Sequence, residues 1–259
     1  MPAVQAALSG YSDLAMRTVA REHGVTYAIN EVVLDALVLQ KGKLQRRILS
    51  VPEHDHPVGG QLMGSQPEIF GQAARELVRA GYDIVDINFG CPVNKVLGRH
   101  RGGWLLQDTE TALAMVESVL QAVQGDAPVS VKMRRGTDDS PEAEKRFWTI
   151  LDGSMELGIA AATVHPRTVK QKYIGPSRWE FLTKVKQHVG DFTLLGSGDL
   201  FSAYDVVDMM NETGVDGATV ARGCIGNPFV FQQIRDLLDG KIPQRATCAQ
   251  QRAAIHRHW

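Results

Sequence analysis

Short apolar segments alternate with amphipathic segments along the whole chain. The apolar segments are bounded by Gly, Pro or charged residues, which is the pattern expected of buried strands. Eight of them are predicted to be strands: residues 3–8, 27–33, 58–62, 84–88, 129–133, 161–165, 192–195 and 217–221. Gln5 interrupts the run of small residues in the first of these strands.

The segments between the predicted strands have helical periodicity. Apolar residues recur every three or four positions in two of them: Ile69, Ala73, Leu77 and Val78 in one, and Leu113, Val116, Leu120 and Val123 in the other. Asp108 is a suitable N-cap for the second helix, and Ser140 followed by Pro141 predicts the start of the next. A further helix is predicted around residues 229–238.

Eight strand–helix units predict a parallel sheet flanked by helices. A (β/α)8 barrel, or TIM barrel, needs eight such units in about this length. An open, doubly wound sheet has the same periodicity and is the alternative topology. After Gly240 and Pro243 the composition shifts to Gln, Ala, Arg and His. We therefore expect a catalytic barrel domain over residues 1–240, and over residues 241–259 the start of a C-terminal helical domain that is truncated.

The composition is that of an average globular protein, with 44% hydrophobic and 22% charged residues, so disordered and collagen-like classes are excluded. Lys and Arg total 28 against 29 Asp and Glu, so the global charge indicates neither nucleic-acid nor membrane binding. Three widely spaced cysteines, Cys91, Cys224 and Cys248, exclude a disulfide framework and a Cys-based zinc site. The chain has no apolar run long enough to span a membrane and no signal-peptide pattern. We expect a cytoplasmic protein, and no feature indicates a metal, a membrane or an obligate protein partner.

Polar residues follow most of the predicted strands. In a parallel barrel, residues at the carboxyl ends of the strands converge on one face, where active sites form. The converging set comprises Gln61, Asn88, Cys91, Lys132, Arg134, His165, Arg167, the segment Gly196-Ser197-Gly198-Asp199, and the pair Arg222-Gly223. We therefore predict a functional site at that face.

The last two predicted strands end in glycine-rich turns that suit an anion. Gly198 and Gly223 allow backbone N–H groups to approach a phosphate, and a following helix N-terminus favours negative charge. Phosphate sites in these barrels commonly lie at the seventh and eighth strands. Ordinary tight turns are the alternative interpretation.

Three other residues of the set each allow two interpretations. Cys91 is either a small buried hydrophobe or, if it faces the site, a nucleophile or proton donor. Lys132 either forms a Schiff base or donates to an anionic ligand. A histidine such as His165, taken alone, is most often structural.

Cations are concentrated in the loops after the fourth to sixth predicted strands. They are Lys95, Arg99, Arg101, Lys132, Arg134, Arg135, Arg167, Lys170, Lys172 and Arg178. Such a rim attracts a polyanion, unless acidic residues from elsewhere neutralise it. Tyr173, among these cations, has the chemistry to stack on a base.

Several of these segments occur together, in order, in one known family. The motifs are Asn88-Phe89-Gly90-Cys91-Pro92-Val93 with Lys95-Val96, Gln61-Leu62-Met63-Gly64-Ser65, Leu105-Leu106-Gln107-Asp108, Val131-Lys132-Met133-Arg134, Val164-His165-Pro166-Arg167-Thr168, Gly198-Asp199, Ala221-Arg222-Gly223 and Gly226-Asn227-Pro228. The chain resembles the flavin-dependent tRNA-dihydrouridine synthases from about residue 6 to residue 238. The resemblance implies a TIM barrel that binds FMN and a following helical domain that helps to hold tRNA.

The resemblance also implies roles for individual residues. The flavin ring would contact Gln61, Lys132 and His165, and the ribityl phosphate would contact Gly198, Asp199, Arg222 and Gly223. Asn88 would hold the uracil, and Cys91 would be the acid. The RNA would contact Arg167 with its neighbours Lys170 and Lys172. The residues themselves indicated a site for a phosphate-ended ligand, whereas FMN is named only by the resemblance.

The chain departs from the family pattern at several positions. Ala6-Ala7-Leu8-Ser9-Gly10 stands where Ala-Pro-Met-Ala-Gly is usual, Pro166 where Gly is usual, and Ser197 where Asn is usual. Arg99-His100-Arg101 and Trp104 stand where small residues are usual. Bulk at that loop is expected to affect which uridine enters the site.

These features together predict FMN-dependent reduction of specific uridines in tRNA to 5,6-dihydrouridine, with NADPH as reductant. The resemblance implies that hydride reaches uracil C6 and that Cys91 protonates C5, after the base has been extruded into the barrel mouth. One alternative is a flavin barrel that acts on a free pyrimidine, similar to dihydroorotate dehydrogenase; the basic rim argues against it. The other is a non-catalytic RNA-binding relative.

Overall fold

The computed structural model describes residues 3–258 and contains a closed barrel of parallel strands. The strands are β1 (Ala3–Gln5), β2 (Ala28–Ile29), β3 (Val33–Leu34), β4 (Val58–Met63), β5 (Ile84–Phe89), β6 (Val129–Arg134), β7 (Ala161–His165), β8 (Leu194–Ser197) and β9 (Gly217–Val220). β2 pairs with β1 on one side and with β4 on the other, so the sheet has no open edge there. Eight strands close the ring and β3 is an additional short pairing on β4. The TIM barrel is confirmed, and the open sheet is excluded.

Helices connect the strands and cover the outside of the barrel. They are α1 (Leu14–Glu22), α2 (Asp35–Leu39), α3 (Lys43–Ile48), α4 (Pro67–Arg79), α5 (Asn94–Leu97), α6 (Thr109–Val123), α7 (Pro141–Leu157), α8 (Trp179–Val189), α9 (Ala203–Thr213), α10 (Val230–Leu238) and α11 (Cys248–His258). The predicted N-caps are confirmed, because Asp108 accepts a hydrogen bond from the Thr111 N–H and Ser140 accepts one from the Ala143 N–H. Pro141 lies in the first turn of α7, where its missing N–H is not needed.

The predicted strand over residues 27–33 is interrupted in the structure. Ile29 pairs with Gly59 and Val33 pairs with Leu62, so one chain advances four residues while its neighbour advances three. The extra residue acts as a bulge and breaks the ladder between β2 and β3. Asn30 lies in the interruption, where its side chain donates to the Tyr82 hydroxyl. The apolar pattern of residues 27–33 did not indicate this hydrogen bond of Asn30, so the interruption of the strand was not predicted.

Two other predicted strands differ from the structure by more than one residue at an end. The strand predicted over residues 3–8 ends at Gln5, because residues 8–12 form a turn in which the Leu8 N–H donates to the Ser12 hydroxyl. The strand predicted to begin at Phe192 begins at Leu194, because the Phe192 N–H donates to Val189 at the end of α8. Apolar residues in a tight turn have the same local pattern as the start of a strand.

Two apolar layers hold the barrel together. The larger one lies between the sheet and the helices and includes Phe70, Phe89 and Phe147, all fully buried. A small cluster of Val4, Tyr27 and Ile29 is separate from it. Strand residues alternate between the two faces. Along β6, Val131 and Met133 join the larger layer, so Ser130, Lys132 and Arg134 face the interior. The polar residues of the predicted site therefore have the correct phase to meet inside the barrel.

The last described helix, α11, packs against α1 on the outside of the barrel. Arg257 of α11 donates to Glu22 of α1 at 2.7 Å. The proposed boundary between residues 1–240 and 241–259 stays a prediction. Within residues 3–258, no helix combines the length and apolar character that a bilayer crossing requires.

Candidate active site

A cavity of about 450 Å³ opens at the carboxyl ends of the strands. Eight of the predicted site residues line it: Gln61, Asn88, Cys91, Lys132, His165, Gly198, Asp199 and Arg222. All eight strands of the barrel contribute to the lining, either directly or through the loops that follow them, as expected for an active site of this fold. The predicted residues that do not line it are Gly223, Arg167, Lys170 and Lys172.

A chain of hydrogen bonds crosses the floor of the cavity. Gln61 Nε2 donates to Asp86 Oδ2 at 2.6 Å, and Asn88 Nδ2 donates to Gln61 Oε1 at 2.7 Å. Asn88 Oδ1 accepts from the backbone N–H groups of Gly90 and Cys91, both at 3.0 Å. The other carboxylate oxygen of Asp86 accepts from the Ser130 hydroxyl at 2.5 Å. The sequence predicted Gln61, Asn88 and Cys91 as site residues but missed Asp86.

Cys91 lies at the start of the loop after β5 with its side chain partly buried. Burial raises the pKa of the Cys91 thiol, and a backbone hydrogen bond at Val93 and the charge of Arg134 only partly oppose this rise. The group is therefore a neutral thiol at neutral pH. The Gly103 N–H donates to the Cys91 carbonyl at 3.0 Å, and a Cβ built on Gly102 would lie 2.8 Å from Cys91 Cβ. Because residues 102 and 103 are glycines, the segment that contains them packs directly on Cys91.

Lys132 and Arg134 extend from β6 into the same space. Burial is the main cause that lowers the pKa of Lys132 to about 8; Arg134 lowers it further and Asp86 opposes the shift. Burial likewise lowers the pKa of Arg134 to about 10, so this guanidinium remains charged at neutral pH. Arg134 donates to the carbonyls of Gly90, Thr168 and Lys172 at 2.8–2.9 Å. Arg134 therefore ties the cysteine loop to the loop after β7.

His165 ends β7 and is almost completely buried. Burial and the charges of Lys132, Arg134, Arg167 and Arg222 lower the pKa of His165 to about 2. The imidazole is therefore neutral at any physiological pH. A neutral ring has one donor and one acceptor nitrogen, so His165 suits hydrogen bonding better than proton transfer near pH 7.

Positions 198 and 223 have no room for a side chain. Gly198 has φ +114°, and a Cβ there would lie 2.3 Å from Ser177 Oγ and 2.9 Å from His165 Nε2. A Cβ on Gly223 would lie 2.1 Å from the Leu200 carbonyl oxygen. Gly223 therefore acts by close backbone packing of two loops, next to the cavity rather than in its lining.

The predicted RNA contact Arg167 is buried and does not line the cavity. Only 3% of Arg167 is exposed, and its guanidinium donates to the Gly175 carbonyl and to Asp199 Oδ2, the latter at 2.6 Å. Asp199 also accepts from the Ser177 N–H at 2.8 Å. Arg167 therefore orients Asp199 and the loop after β7 and offers no surface to a macromolecule.

The neighbouring lysines lie on the exposed loop after β7. Lys170 donates to Asp138 at 2.7 Å, and 75% of its side chain is exposed. Lys172 is exposed in a left-handed conformation, with φ 49°, and its carbonyl accepts from Arg134. The two lysines remain candidates for contact with a polyanion outside the cavity.

Aromatic side chains accompany the cations at the cavity mouth. The Arg222 guanidinium lies over the rings of Tyr173 and Phe201, and Arg134 also lies over Tyr173. Tyr173 and Phe201 are both about half exposed and line the cavity. The sequence identified Tyr173 but missed Phe201, for which the only signal is its position shortly after a predicted strand.

The unusual loop over residues 99–104 contains a stacked pair. The rings of His100 and Trp104 are 4.1 Å apart and nearly parallel. Trp104 packs on the core, and His100 is exposed with φ 55°. The bulk predicted at this loop is therefore partly absorbed into packing.

No group of three or more His, Cys, Asp or Glu side chains suited to a metal is found among the residues described here.

The fold and the cavity define the class of the protein as a TIM-barrel enzyme. The model of the family "Dihydrouridine synthase (Dus)" matches residues 4–259. The chain therefore belongs to the dihydrouridine synthase family.

Relatives of known name match nearly the whole chain. It is 31% identical to the probable tRNA-dihydrouridine synthase 1 of Synechocystis, with 96% of this chain and 70% of that protein covered. It is 30% identical to the probable tRNA-dihydrouridine synthase of Rickettsia typhi, with 99% and 77% covered.

Solved structures of low identity share the fold. Morphinone reductase in complex with tetrahydroNAD has a TM-score of 0.66 at 13% identity, covering 96% of this chain and 89% of its own. The old yellow enzyme homologue from Zymomonas mobilis has a TM-score of 0.66 at 14% identity, covering 96% and 91%. This likeness establishes the barrel architecture only.

Proposed function

We propose that this enzyme reduces uridines of tRNA to 5,6-dihydrouridine, with FMN as the bound cofactor and NADPH as the reductant. The observation that carries the proposal is one cavity that is lined both by the Cys91 thiol, the Asn88 amide and Lys132, from β5, β6 and the loop after β5, and by Gly198 and Arg222, from the loops after β8 and β9. The names of the Synechocystis and Rickettsia relatives support tRNA as the substrate.

The cavity has features that fit a planar ligand with a terminal phosphate. Thr219 Oγ1 is buried, lines the cavity and has no hydrogen-bond partner among the described residues. In the loop after β9, 43% of the Arg222 side chain is exposed, and Asp199 lies 3.5 Å from its guanidinium. Gly198 keeps the wall free of a Cβ. We assign Gln61, Lys132 and His165 to the ring of FMN, and Gly198, Asp199 and Arg222 to its phosphate end. Gly223 supports that end by packing against the Leu200 carbonyl.

FMN, when bound, supplies the hydride that reduces the pyrimidine. The chain supplies the proton, because Cys91 Sγ carries a hydrogen at neutral pH and lines the cavity. Asn88 Oδ1 already accepts two backbone hydrogen bonds, and one hydrogen of Nδ2 is donated to Gln61. The second Nδ2 hydrogen is left to donate to a carbonyl of the uracil.

The RNA backbone is assigned to the exposed rim of the cavity. Lys170 and Lys172 supply exposed positive charge there, and Tyr173 supplies a face on which a base can stack. Arg167 is removed from the proposed RNA contacts because its guanidinium is bonded to Gly175 and Asp199. A tRNA substrate would place the enzyme in the cytoplasm.

The decisive experiment combines the purified protein, FMN, NADPH and an unmodified tRNA transcript. We expect a yellow protein that NADPH bleaches without oxygen, and we expect added tRNA to restore the flavin absorbance while dihydrouridine appears in the tRNA. Free uridine and UMP serve as parallel substrates. Reoxidation by the free pyrimidine alone would favour the dihydroorotate dehydrogenase-like alternative. Failure to bind any flavin would contradict the proposed cofactor.

A further inference from the structure

Asp86 is a buried carboxylate that no motif of the sequence singled out. It lies in the middle of β5, is 1% exposed, and pairs in register with Gln61 of β4. Asp86 and Asn88 share the inward face of β5 because side chains two residues apart point the same way. A carboxylate at this depth needs partners, and Ser130 and Gln61 provide its hydrogen bonds.

The hydrogen bonds above Asp86 have a fixed direction. The Gly90 and Cys91 N–H groups can only donate, so Asn88 must turn its oxygen toward them and its NH2 group toward Gln61. Gln61 must then present its oxygen to Asn88, which leaves its own NH2 group facing β5. Only a hydrogen-bond acceptor at position 86 can complete this chain.

We propose that Asp86 is a positioning residue: it fixes the amide of Gln61, through it the amide of Asn88, and through Asn88 the backbone that carries Cys91. The inference rests on the proposed function, because Cys91 and Asn88 are the groups assigned to the uracil. Asp86 does not line the cavity and acts only through its neighbours. An error of about 1 Å in a reacting group is enough to lower a rate about a hundredfold, so the anchoring is expected to affect catalysis.

Three variants separate this role from simple structural support. Asp86→Ala removes the acceptor, whereas Asp86→Asn keeps one oxygen for Gln61 and turns its NH2 group to the Ser130 hydroxyl, which can accept. Ser130→Ala is the matched control, because it removes the other hydrogen bond of the same carboxylate and leaves the chain toward Cys91 intact. If Asp86→Ala does not fold, Gln61→Met replaces it, since it interrupts the same chain one residue later.

The first measurement is the alkylation rate of Cys91 by iodoacetamide in a Cys248→Ser background, since Cys248 is exposed and Cys224 is buried. We expect at least a threefold faster reaction in Asp86→Ala or Gln61→Met, and wild-type rates in Asp86→Asn and Ser130→Ala. The second is reoxidation of the reduced flavin by tRNA, which should slow by about tenfold to a hundredfold in Asp86→Ala and by less than about threefold in Asp86→Asn.

The two measurements distinguish failure of this inference from failure of the proposed function. If wild-type protein forms no dihydrouridine, the proposed function is wrong, and the alkylation rates still decide whether Asp86 holds the cysteine loop. An unchanged alkylation rate in both Asp86→Ala and Gln61→Met would overturn the inference. Equal impairment of Asp86→Asn and Asp86→Ala would also overturn it, because the charge rather than the acceptor would then be what matters.

Discussion

The guanidinium carbon of Arg222 lies 4.8 Å from the centre of the Tyr173 ring. Arg222 comes from the loop after β9 and Tyr173 from the loop after β7, so the contact connects two loops across the cavity mouth. Arg222 also lies 5.0 Å from the centre of the Phe201 ring, and Arg134 lies 5.5 Å from that of Tyr173. A cation over an aromatic ring is attracted to it, which restrains Arg222 without using its N–H donors.

Removal of the Tyr173 ring should therefore weaken the phosphate end of the cofactor site. A cation–π contact at an exposed site contributes about 0.5–1 kcal/mol, so Tyr173→Leu should raise the Kd for FMN by about twofold to fivefold. Tyr173→Phe keeps the ring and should bind FMN as the wild type does. Titration of apoprotein with FMN, followed by flavin fluorescence, measures both. An equal loss in the two variants would indicate that the hydroxyl, rather than the ring, is important.

Gly198→Ala should abolish or strongly weaken FMN binding. The new Cβ would lie 2.3 Å from Ser177 Oγ and 2.9 Å from His165 Nε2, so the turn or these two side chains must shift. Gly158→Ala is a matched control, because Gly158 has a similar φ of +103° and nothing within 4 Å of the added Cβ. We expect both variants to lose some stability in urea unfolding and only Gly198→Ala to lose at least tenfold in FMN affinity. Normal FMN binding by Gly198→Ala would remove Gly198 from the cofactor site.

The sequence was sufficient to predict which residues meet at the site. Their places along the predicted strands, near the carboxyl ends and on the inward face, determine this. Gln61, Lys132 and His165 each lie near the carboxyl end of an apolar segment, and a closed parallel barrel brings those ends together. Once eight strand–helix units were recognised, the set followed from geometry alone. Periodicity alone did not distinguish a closed sheet from an open one. The number of strand–helix units in this length and the family resemblance predicted the closed barrel.

The direction of a long side chain and the identity of its partner were not predictable. Arg167 follows a strand like the other site residues, yet its guanidinium donates to Gly175 and Asp199. These partners come from two other loop segments, whose conformations cannot be read from the local sequence. The role of Asp86 could not be predicted, because a single polar residue in an apolar strand does not indicate its partners. Gln61 and Ser130 are identified only by the pairing of the neighbouring strands.

Because of Lys132, the free energy of unfolding of the apoprotein should be higher at alkaline pH than at neutral pH. Its pKa is about 8 in the folded protein and about 10.4 in an unfolded chain, so between these values the unfolded state binds more protons and the free energy of unfolding rises with pH. Below pH 8, Lys132 is charged in the folded protein, and the cost of burying this charge lowers the free energy of unfolding. We therefore expect Lys132→Met to be more stable than wild type at pH 7 and to lose that advantage by pH 10, in urea unfolding without FMN. Lys184→Met, on the exposed side of α8, is the control and should show no such convergence.

Reversal of charge on the loop after β7 should weaken tRNA binding and leave FMN binding unchanged. Lys170 is already paired with Asp138, whereas no salt bridge of Lys172 is present among the residues described, so Lys172→Glu should have the larger effect. The loss of one phosphate contact should reduce the slope of log K against log salt by about one. Filter binding at several salt concentrations tests this, with Lys184→Glu as a control for net charge. Equal effects of Lys172→Glu and Lys184→Glu would exclude a local contact.

Cys91→Ala should separate the two half-reactions. The thiol lines the cavity but is not required to hold the cofactor, so the variant should bind FMN and be reduced by NADPH at nearly the wild-type rate. Reoxidation of the flavin by tRNA should slow by about 10²–10⁴-fold, the usual effect of losing a general acid. Cys91→Ser should restore little, because a hydroxyl is a far weaker acid than a thiol of pKa about 8.5. Stopped-flow absorbance under anaerobic conditions measures each step separately.

The pH dependence of that second step tests the same role in the unmodified enzyme. An acid acts in its protonated form, and burial raises the pKa of the Cys91 thiol. The reoxidation rate should therefore be constant through neutral pH and fall only at alkaline pH, above the ordinary thiol pKa of about 8.5. The alanine variant should lack this alkaline decrease. If the variant formed dihydrouridine at the normal rate, Cys91 would be a buried structural residue. If it lost FMN, the cysteine would support the flavin site and the proton would have to come from another group.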